Sequence, residues 1–367
     1  MAEFLCRKCG KRYKYTLNVW RCNACLSPLD IIWERPSFDI RRVNDRLPGI
    51  WKFRDFLPPT NNTVSLGEGY TPVVNKIIHG KTVYFKLDYL MPSGSFKDRG
   101  AALTASRLLD LGVKRVVEDS SGNAAISLAL YLSTIGIEIE VHGPIDMPEG
   151  KVDILTSLNA IIFLGGSRSE AHLRAINREY PYIGHLYNPF FLEAFSTIPY
   201  EIYTQLNGQM PKNFVIPIGS GTSLIGVYRG IRHLVESGLL DDNEVKIIGV
   251  EAAGYEEVYE SIYGHSSGKA KTELADGLRV LNKPRINEVI RIIKKYGDVV
   301  VVDEEQIIRA LNTLWRAGYL IEPTTATSYA GFLEANNRGL LEGDSVLIIL
   351  TGSGLKLLDL INRLIIY

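Results

Sequence analysis

Residues 82–141, TVYFKLDYLMPSGSFKDRGAALTASRLLDLGVKRVVEDSSGNAAISLALYLSTIGIEIEV, decide the fold. Short β-branched apolar runs at 82–87, 115–118 and 137–141 predict strands. Between them, 99–111 and 124–135 carry helical periods, with Gly112 and Gly136 placed to end each helix. Strand–helix–strand alternation implies parallel strands covered by helices on both faces. The pattern resumes downstream. Strands are expected at 160–164, 214–218, 246–251, 299–302 and 345–350, and helices between 141 and 160 and at 224–236, 304–316 and 327–337. The expected fold class is α/β: two lobes with parallel sheets flanked by helices, a cleft between them, and a small N-terminal segment. Four stretches are expected. They are a cysteine-bearing segment at 1–35, an extension with the first part of the large lobe at 36–95, a small lobe at 96–200 and a large lobe at 201–367. The Asn61-Asn62 and Gly67-Glu68-Gly69 stretches read as loops.

The chain has 367 residues, 46% of them hydrophobic, with 41 basic and 41 acidic side chains. That balance removes a global field for nucleic acid or an anionic membrane. No run of about 18 apolar residues is free of charge, so no transmembrane helix is expected. The first residues lack the layout of a secretory signal, and a cytoplasmic location is the expectation. Scarce glutamine beside plentiful Ile, Tyr and Lys leans toward a heat-adapted source. All four cysteines lie early, as Cys6-x-x-Cys9 and Cys22-x-x-Cys25. Two such knuckles suit a tetrahedral four-thiolate zinc site with no open position for water, hence structural rather than catalytic. The alternative is redox or unmetallated thiols. The basic residues of this segment read as a solvated hairpin face rather than a nucleic-acid contact.

Four strand-end loops carry the chemistry. Ser93-Gly94-Ser95-Phe96-Lys97-Asp98-Arg99-Gly100 places Lys97 at a helix start, where desolvation and the helix dipole favour a neutral, nucleophilic amine. Ser120-Ser121-Gly122-Asn123 opens the next helix and offers backbone amides to a carboxylate. Gly219-Ser220-Gly221-Thr222-Ser223 follows a strand and precedes a helix, a phosphate cradle by the same logic. It lacks the Lys of a Walker loop and the third glycine of a dinucleotide fingerprint. Glu251, on the next strand, is a loose match to a ribose-binding acid. Thr351-Gly352-Ser353-Gly354 ends the last strand, and Thr351 can offer its hydroxyl to a ring nitrogen. Parallel strands place such loops at the ligand-binding end of an α/β sheet.

In these motifs the sequence resembles the fold-type II pyridoxal-phosphate enzymes, most closely the threonine synthases. The resemblance spans essentially the whole chain, including the zinc ribbon, 64–72, 93–100, 120–125, Tyr187-Asn188-Pro189, 219–223 and 351–356. It implies pyridoxal 5′-phosphate held by Lys97 as a Schiff base, Asn123 at the ring hydroxyl, 219–223 at the cofactor phosphate and Thr351 at the ring nitrogen. Ser93, Ser95, Ser120, Ser121, Gly122 and Asn188 are then expected on the substrate. The implied activity is a lyase reaction, turning O-phosphohomoserine and water into threonine and phosphate, in a homodimer. Ala124 after Asn123, and Thr351 in place of Ser or Cys, set the chain apart from the Ser/Thr dehydratases. The related alternatives are a cysteate synthase, a dehydratase or an O-phosphoserine sulfhydrylase. A non-catalytic regulatory protein of the same fold is the alternative of another class. The sequence departs from the family at Met91-Pro92-Ser93, and at Phe190 and Phe191 where many members carry a phosphate-binding arginine. Lys86, Arg99 and Arg168 are the cations available to replace it.

Overall fold

A computed structural model describes every residue except Met1, Leu17, Asn18, Ser121, Leu281, Asn362, Arg363 and 365–367. The chain opens with β1 (Glu3–Leu5), β2 (Arg12–Lys14) and β3 (Asp30–Ile32). After a long irregular stretch come β4 (Val73–Ile78) and β5 (Lys81–Lys86). Alternation then sets in with α1 (Asp98–Asp110), β6 (Arg115–Glu118), α2 (Asn123–Ser133), β7 (Glu138–Gly143), α3 (Glu149–Ser157), β8 (Ile161–Leu164) and α4 (Arg168–Ile176). Two consecutive helices, α5 (Pro189–Phe195) and α6 (Thr197–Gln205), interrupt it. The rest comprises β9 (Asn213–Pro217), α7 (Thr222–Glu236), β10 (Lys246–Ala252), α8 (Glu257–Tyr263), α9 (Ile286–Tyr296), β11 (Gly297–Val302), α10 (Glu304–Arg316), α11 (Pro323–Asn337), β12 (Ser345–Ile349) and α12 (Leu358–Ile361).

These elements form two compact units, Met1–Tyr70 with Met91–Thr197, and Thr71–Leu90 with Ile198–Tyr367. The stretch 36–95 therefore contributes to both. In the first unit, β6, β7 and β8 make a parallel three-stranded sheet. Its core gathers Leu103 and Leu108 of α1, Val116 of β6, Leu128 and Leu132 of α2 and Val141 of β7. The antiparallel ribbon β2-β1-β3 belongs to this unit. It packs on α5, with the rings of Phe4 and Tyr15 6.5 and 5.7 Å from that of Phe190.

The second unit is built on a six-stranded sheet ordered β11-β10-β9-β12-β5-β4. Five strands are parallel and β4 runs antiparallel on β5. Parallel strands buried on both faces account for the unbroken apolar runs, all five residues of β9 being buried. The edge strand β4 escaped the sequence reading for a physical reason. Its four central residues are exposed, so no buried face imposes an alternating pattern. The helices α4, α5, α6, α8, α9 and α12 were also unforeseen. Elsewhere local chemistry sets the ends: Ser167 with Glu170 and Asp303 with Gln306 form reciprocal capping boxes on α4 and α10.

Candidate active site

Lys97 is the residue before α1, already helical at φ −61° and ψ −22°, and it is half-buried. The turn leading to it is tightly tied. Gly94 takes a φ of +69°, a conformation that glycine adopts without steric cost. The wholly buried Ser95 accepts the Lys97 backbone N–H at 3.2 Å. Asp98 is buried and receives the Ser93 N–H at 2.7 Å, the Ser93 hydroxyl and the Ser127 hydroxyl. Ser127 lies on α2, so Asp98 fastens the starts of both helices together. The Lys97 amine lies over aromatic rings, 4.8 Å from the Phe96 centroid and 5.8 Å from that of Phe195. Such a wall lowers the local dielectric around the amine.

Gly122 is the N-cap of α2, with φ −149° and ψ −143°, and its N–H reaches the Ser120 hydroxyl at 3.2 Å. Ser120 and Asn123 are half-buried. Ser121 lies outside the described residues. A cation absent from the sequence reading stands here. Lys151 of α3 is 3% exposed, and its Nζ lies 3.4 Å from where a Cβ on Gly122 would sit. Nothing in its local sequence marks it, because only the fold carries α3 to the start of α2.

Asn188 is the N-cap of α5. Its Oδ1 accepts the Phe190 N–H at 3.0 Å, and its Nδ2 donates to Thr104 at 3.1 Å and to the Ile183 carbonyl at 3.4 Å. Those bonds occupy the amide with holding α5 against α1. Phe190 and Phe191 are core residues, 2% and 0% exposed. A Cβ on Gly100 would stand 2.1 Å from the Phe191 ring, so that glycine admits the ring against α1. Of the cations considered as replacements for an arginine, Arg99 is buried and bonds Thr197 at 2.9 Å. Lys86 is buried against Glu201 at 2.6 Å, with further bonds to the Thr71 carbonyl and Gln205. Arg168 is exposed at the start of α4.

In the second unit, 219–223 forms the turn between β9 and α7. Gly221 is the N-cap of this 15-residue helix, with φ +82°, and a Cβ there would meet Val289 at 2.3 Å. A Cβ on Gly219 would lie 2.6 Å from the Gly277 carbonyl oxygen. Both positions demand glycine, and the loop presents the positive end of α7. The Ser220 and Thr222 hydroxyls are 2.9 Å apart. A chain of contacts leads on to Thr351: the Gly277 N–H donates to Thr324, and the neighbouring Thr325 hydroxyl lies 2.9 Å from that of Thr351. Thr325 also accepts the Gly352 N–H at 2.8 Å. Thr325 was not foreseen, since its place under Thr351 depends on α11 packing beside β12.

Glu251 has a different task from ribose binding. It is buried, accepts the N–H groups of Val258 and Tyr259 at the start of α8, and pairs with Lys283 at 3.0 Å. At the N-terminus, the four cysteine sulfurs lie within 4.8 Å of one another, with Cys6–Cys25 at 3.4 Å and Cys9–Cys22 at 3.5 Å. Four thiolates about 2.3 Å from one tetrahedral zinc ion require a spacing of this order.

The first unit thus carries a half-buried amine at the start of α1, and the second a glycine-lined turn at the start of α7. The family model described as pyridoxal-phosphate dependent enzyme matches residues 64–352. The chain belongs to this family. It is 28% identical to a threonine synthase of Methanosarcina acetivorans over 97% of this chain and 92% of that protein. It is 30% identical to a threonine synthase of Methanocaldococcus jannaschii over 96% of this chain and 92% of that protein. Among solved structures, maize serine racemase superposes with a TM-score of 0.66 at 23% identity, covering 80% of this chain and 91% of that one. This last likeness concerns the fold. No helix among the described residues is long and apolar enough to cross a membrane.

Proposed function

We propose that the chain is a threonine synthase, converting O-phosphohomoserine and water into threonine and phosphate by γ-elimination and β-addition. The observation that carries this reading is near end-to-end similarity to two proteins named threonine synthase, both extending over 96% or more of the chain. The residues fit the family's cofactor. Lys97 Nζ would take its aldehyde carbon, the N–H groups of 219–223 its phosphate, Asn123 its ring hydroxyl and the Thr351 hydroxyl its ring nitrogen. The cradle at Gly219 and Gly221, closed to any Cβ, supports the phosphate assignment. When bound, pyridoxal 5′-phosphate supplies a sink for carbon-centred negative charge.

The chain's own groups then bind and move protons. The Lys97 amine acts as general base toward the substrate α-proton. Ser120, Ser121 and Gly122 hold the substrate carboxylate. Lys151 supplies the buried positive charge that Phe190 and Phe191 do not, facing an anionic end of the substrate. The four cysteines hold a structural zinc ion, and the working form is a homodimer.

Two measurements test the reading. Phosphate release and threonine formation from O-phosphohomoserine, set against pyruvate or 2-oxobutanoate formation from serine or threonine, separates synthase from dehydratase. Lys97→Ala is expected to abolish the yellow absorption band of the purified enzyme. Retention of that band with full activity overturns the assignment of Lys97.

A further inference from the structure

The second unit holds a buried hydroxyl that the reaction as described above does not use. Thr325 stands in the first turn of α11 and is wholly buried. Its Oγ1 meets three groups of the loop that follows β12. It accepts the Gly352 N–H at 2.8 Å, and it lies 3.1 Å from the Gly352 carbonyl oxygen and 2.9 Å from Thr351 Oγ1. Thr351 is itself buried, at 3% exposure.

A hydroxyl has one proton to give and two lone pairs to fill. The Thr325 proton therefore goes either to the Gly352 carbonyl or to Thr351. The Gly352 carbonyl already accepts the Glu322 N–H at 3.0 Å. The contact to Thr351 is the shorter of the two and nearer the usual O–H···O distance of about 2.8 Å. With the Thr325 proton directed at Thr351 Oγ1, the Thr351 proton is left to point elsewhere as a donor. The positive end of α11, a 15-residue helix that begins at Pro323, opposes any cationic group at this place. The acid on the other side of the balance is Glu322, whose carboxylate flanks Gly352 so closely that a Cβ there would run into it.

We propose that Thr325 is a positioning residue for Thr351: by donating to its Oγ1 it makes the Thr351 hydroxyl a donor, so that the atom facing that hydroxyl is held as an acceptor without a proton. The proposal rests on Thr351 meeting the cofactor's ring nitrogen in the proposed function. It adds the direction of that hydrogen bond and the residue that sets it. Hydrogen bonds to ring nitrogens tune a cofactor's electronics, so the direction matters to the charge the ring can withdraw.

The test reads the ring nitrogen directly. The full-length chain is loaded with pyridoxal 5′-phosphate isotopically labelled at that nitrogen, and its nitrogen NMR resonance is followed across a pH series. Wild type is expected at the position of an unprotonated pyridine around neutral pH. Thr325→Val keeps the shape, removes the donor and frees Thr351 to turn a lone pair on the nitrogen. It is expected to raise the midpoint for proton uptake by about one unit, a roughly tenfold larger protonated fraction above that midpoint. Thr325→Ser, which keeps the hydroxyl, should match wild type. A protonated nitrogen in wild type at neutral pH overturns the proposal, and so does an unchanged titration in folded Thr325→Val. If that variant does not fold, Thr325→Cys, a much weaker donor of similar size, is read in its place. Thr351→Val separates the proposal from the reading beneath it. A resonance that moves in Thr351→Val but not in Thr325→Val overturns the role of Thr325 alone. One that moves in neither overturns the place of Thr351 at the ring nitrogen as well.

Discussion

At the residue scale, burial has decided what each charged group can do. Lys86 and Arg99 carry positive charge but are wholly enclosed by partners in their own units. Lys151 is enclosed beside the Ser120–Gly122 turn proposed for the substrate carboxylate, which makes it the cation to test. Lys151→Met is expected to raise KM for O-phosphohomoserine about 10- to 100-fold, the loss of one charge-assisted hydrogen bond. Steady-state kinetics with substrate varied would check this, and an unchanged KM would remove Lys151 from the substrate site. Glu68 shows the opposite effect of burial. Its carboxyl accepts Ser65, the Leu66 N–H and the Tyr131 hydroxyl, yet loss of solvent pushes its pKa up to about 7. In the folded state it therefore binds a proton that the unfolded chain releases near pH 4.5. Stability from this group is highest below the unfolded value and declines as pH rises through about 7, a change of about 3 kcal/mol. Glu68→Gln is expected to flatten this part of the curve in denaturant titrations between pH 5 and 8.

At the element scale, the helix starts matter most. The turns before α1, α2 and α7 all join a parallel-sheet unit to a helix N-terminus, and they bring the lysine, the serine–glycine turn and the glycine cradle. The cradle is the least tolerant of the three. Gly221→Ala would place a side chain at φ +82° and drive its Cβ into Val289. The backbone conformation alone costs about 1–2 kcal/mol. The expected result is a lower thermal midpoint and at least a tenfold weaker hold on pyridoxal 5′-phosphate, read by equilibrium dialysis. Undiminished binding would place the phosphate elsewhere. The same scale explains Asn188 and the two phenylalanines after it. They cap and seat α5 on α1, a packing task that their sequence neighbourhood resembled but did not disclose.

At the scale of the whole molecule, the ribbon is joined to the first unit through its aromatic side chains. Phe4 and Tyr15 meet Phe190, and Trp20 packs edge-on against Tyr182 and Tyr187 at 4.7 and 4.8 Å. Metal held by the four cysteines would thus stabilise more than a hairpin. Elemental analysis is expected to find one zinc per chain. Stripping it with a chelator at neutral pH should lower Tm by about 5 °C. Loss of the metal without any change in thermal unfolding would reduce the ribbon to an independent appendage.

The sequence by itself determined the α/β class, most of the strands, the cysteine knuckles and the four loops, because each depends on local spacing. Seven of those features can be read from a handful of adjacent residues: the two CxxC pairs, Lys97 in its glycine-bearing turn, Ser120–Asn123, 219–223, Thr351 and the β-branched runs. Tertiary structure alone decided which groups stand beside them. Lys151 beside Gly122, Thr325 beside Thr351 and Glu118 beside His185 are pairs separated by 29, 26 and 67 positions in the chain. No local pattern encodes such a pair. Burial and sheet order bring its members together, and the same burial then sets which of them carry charge.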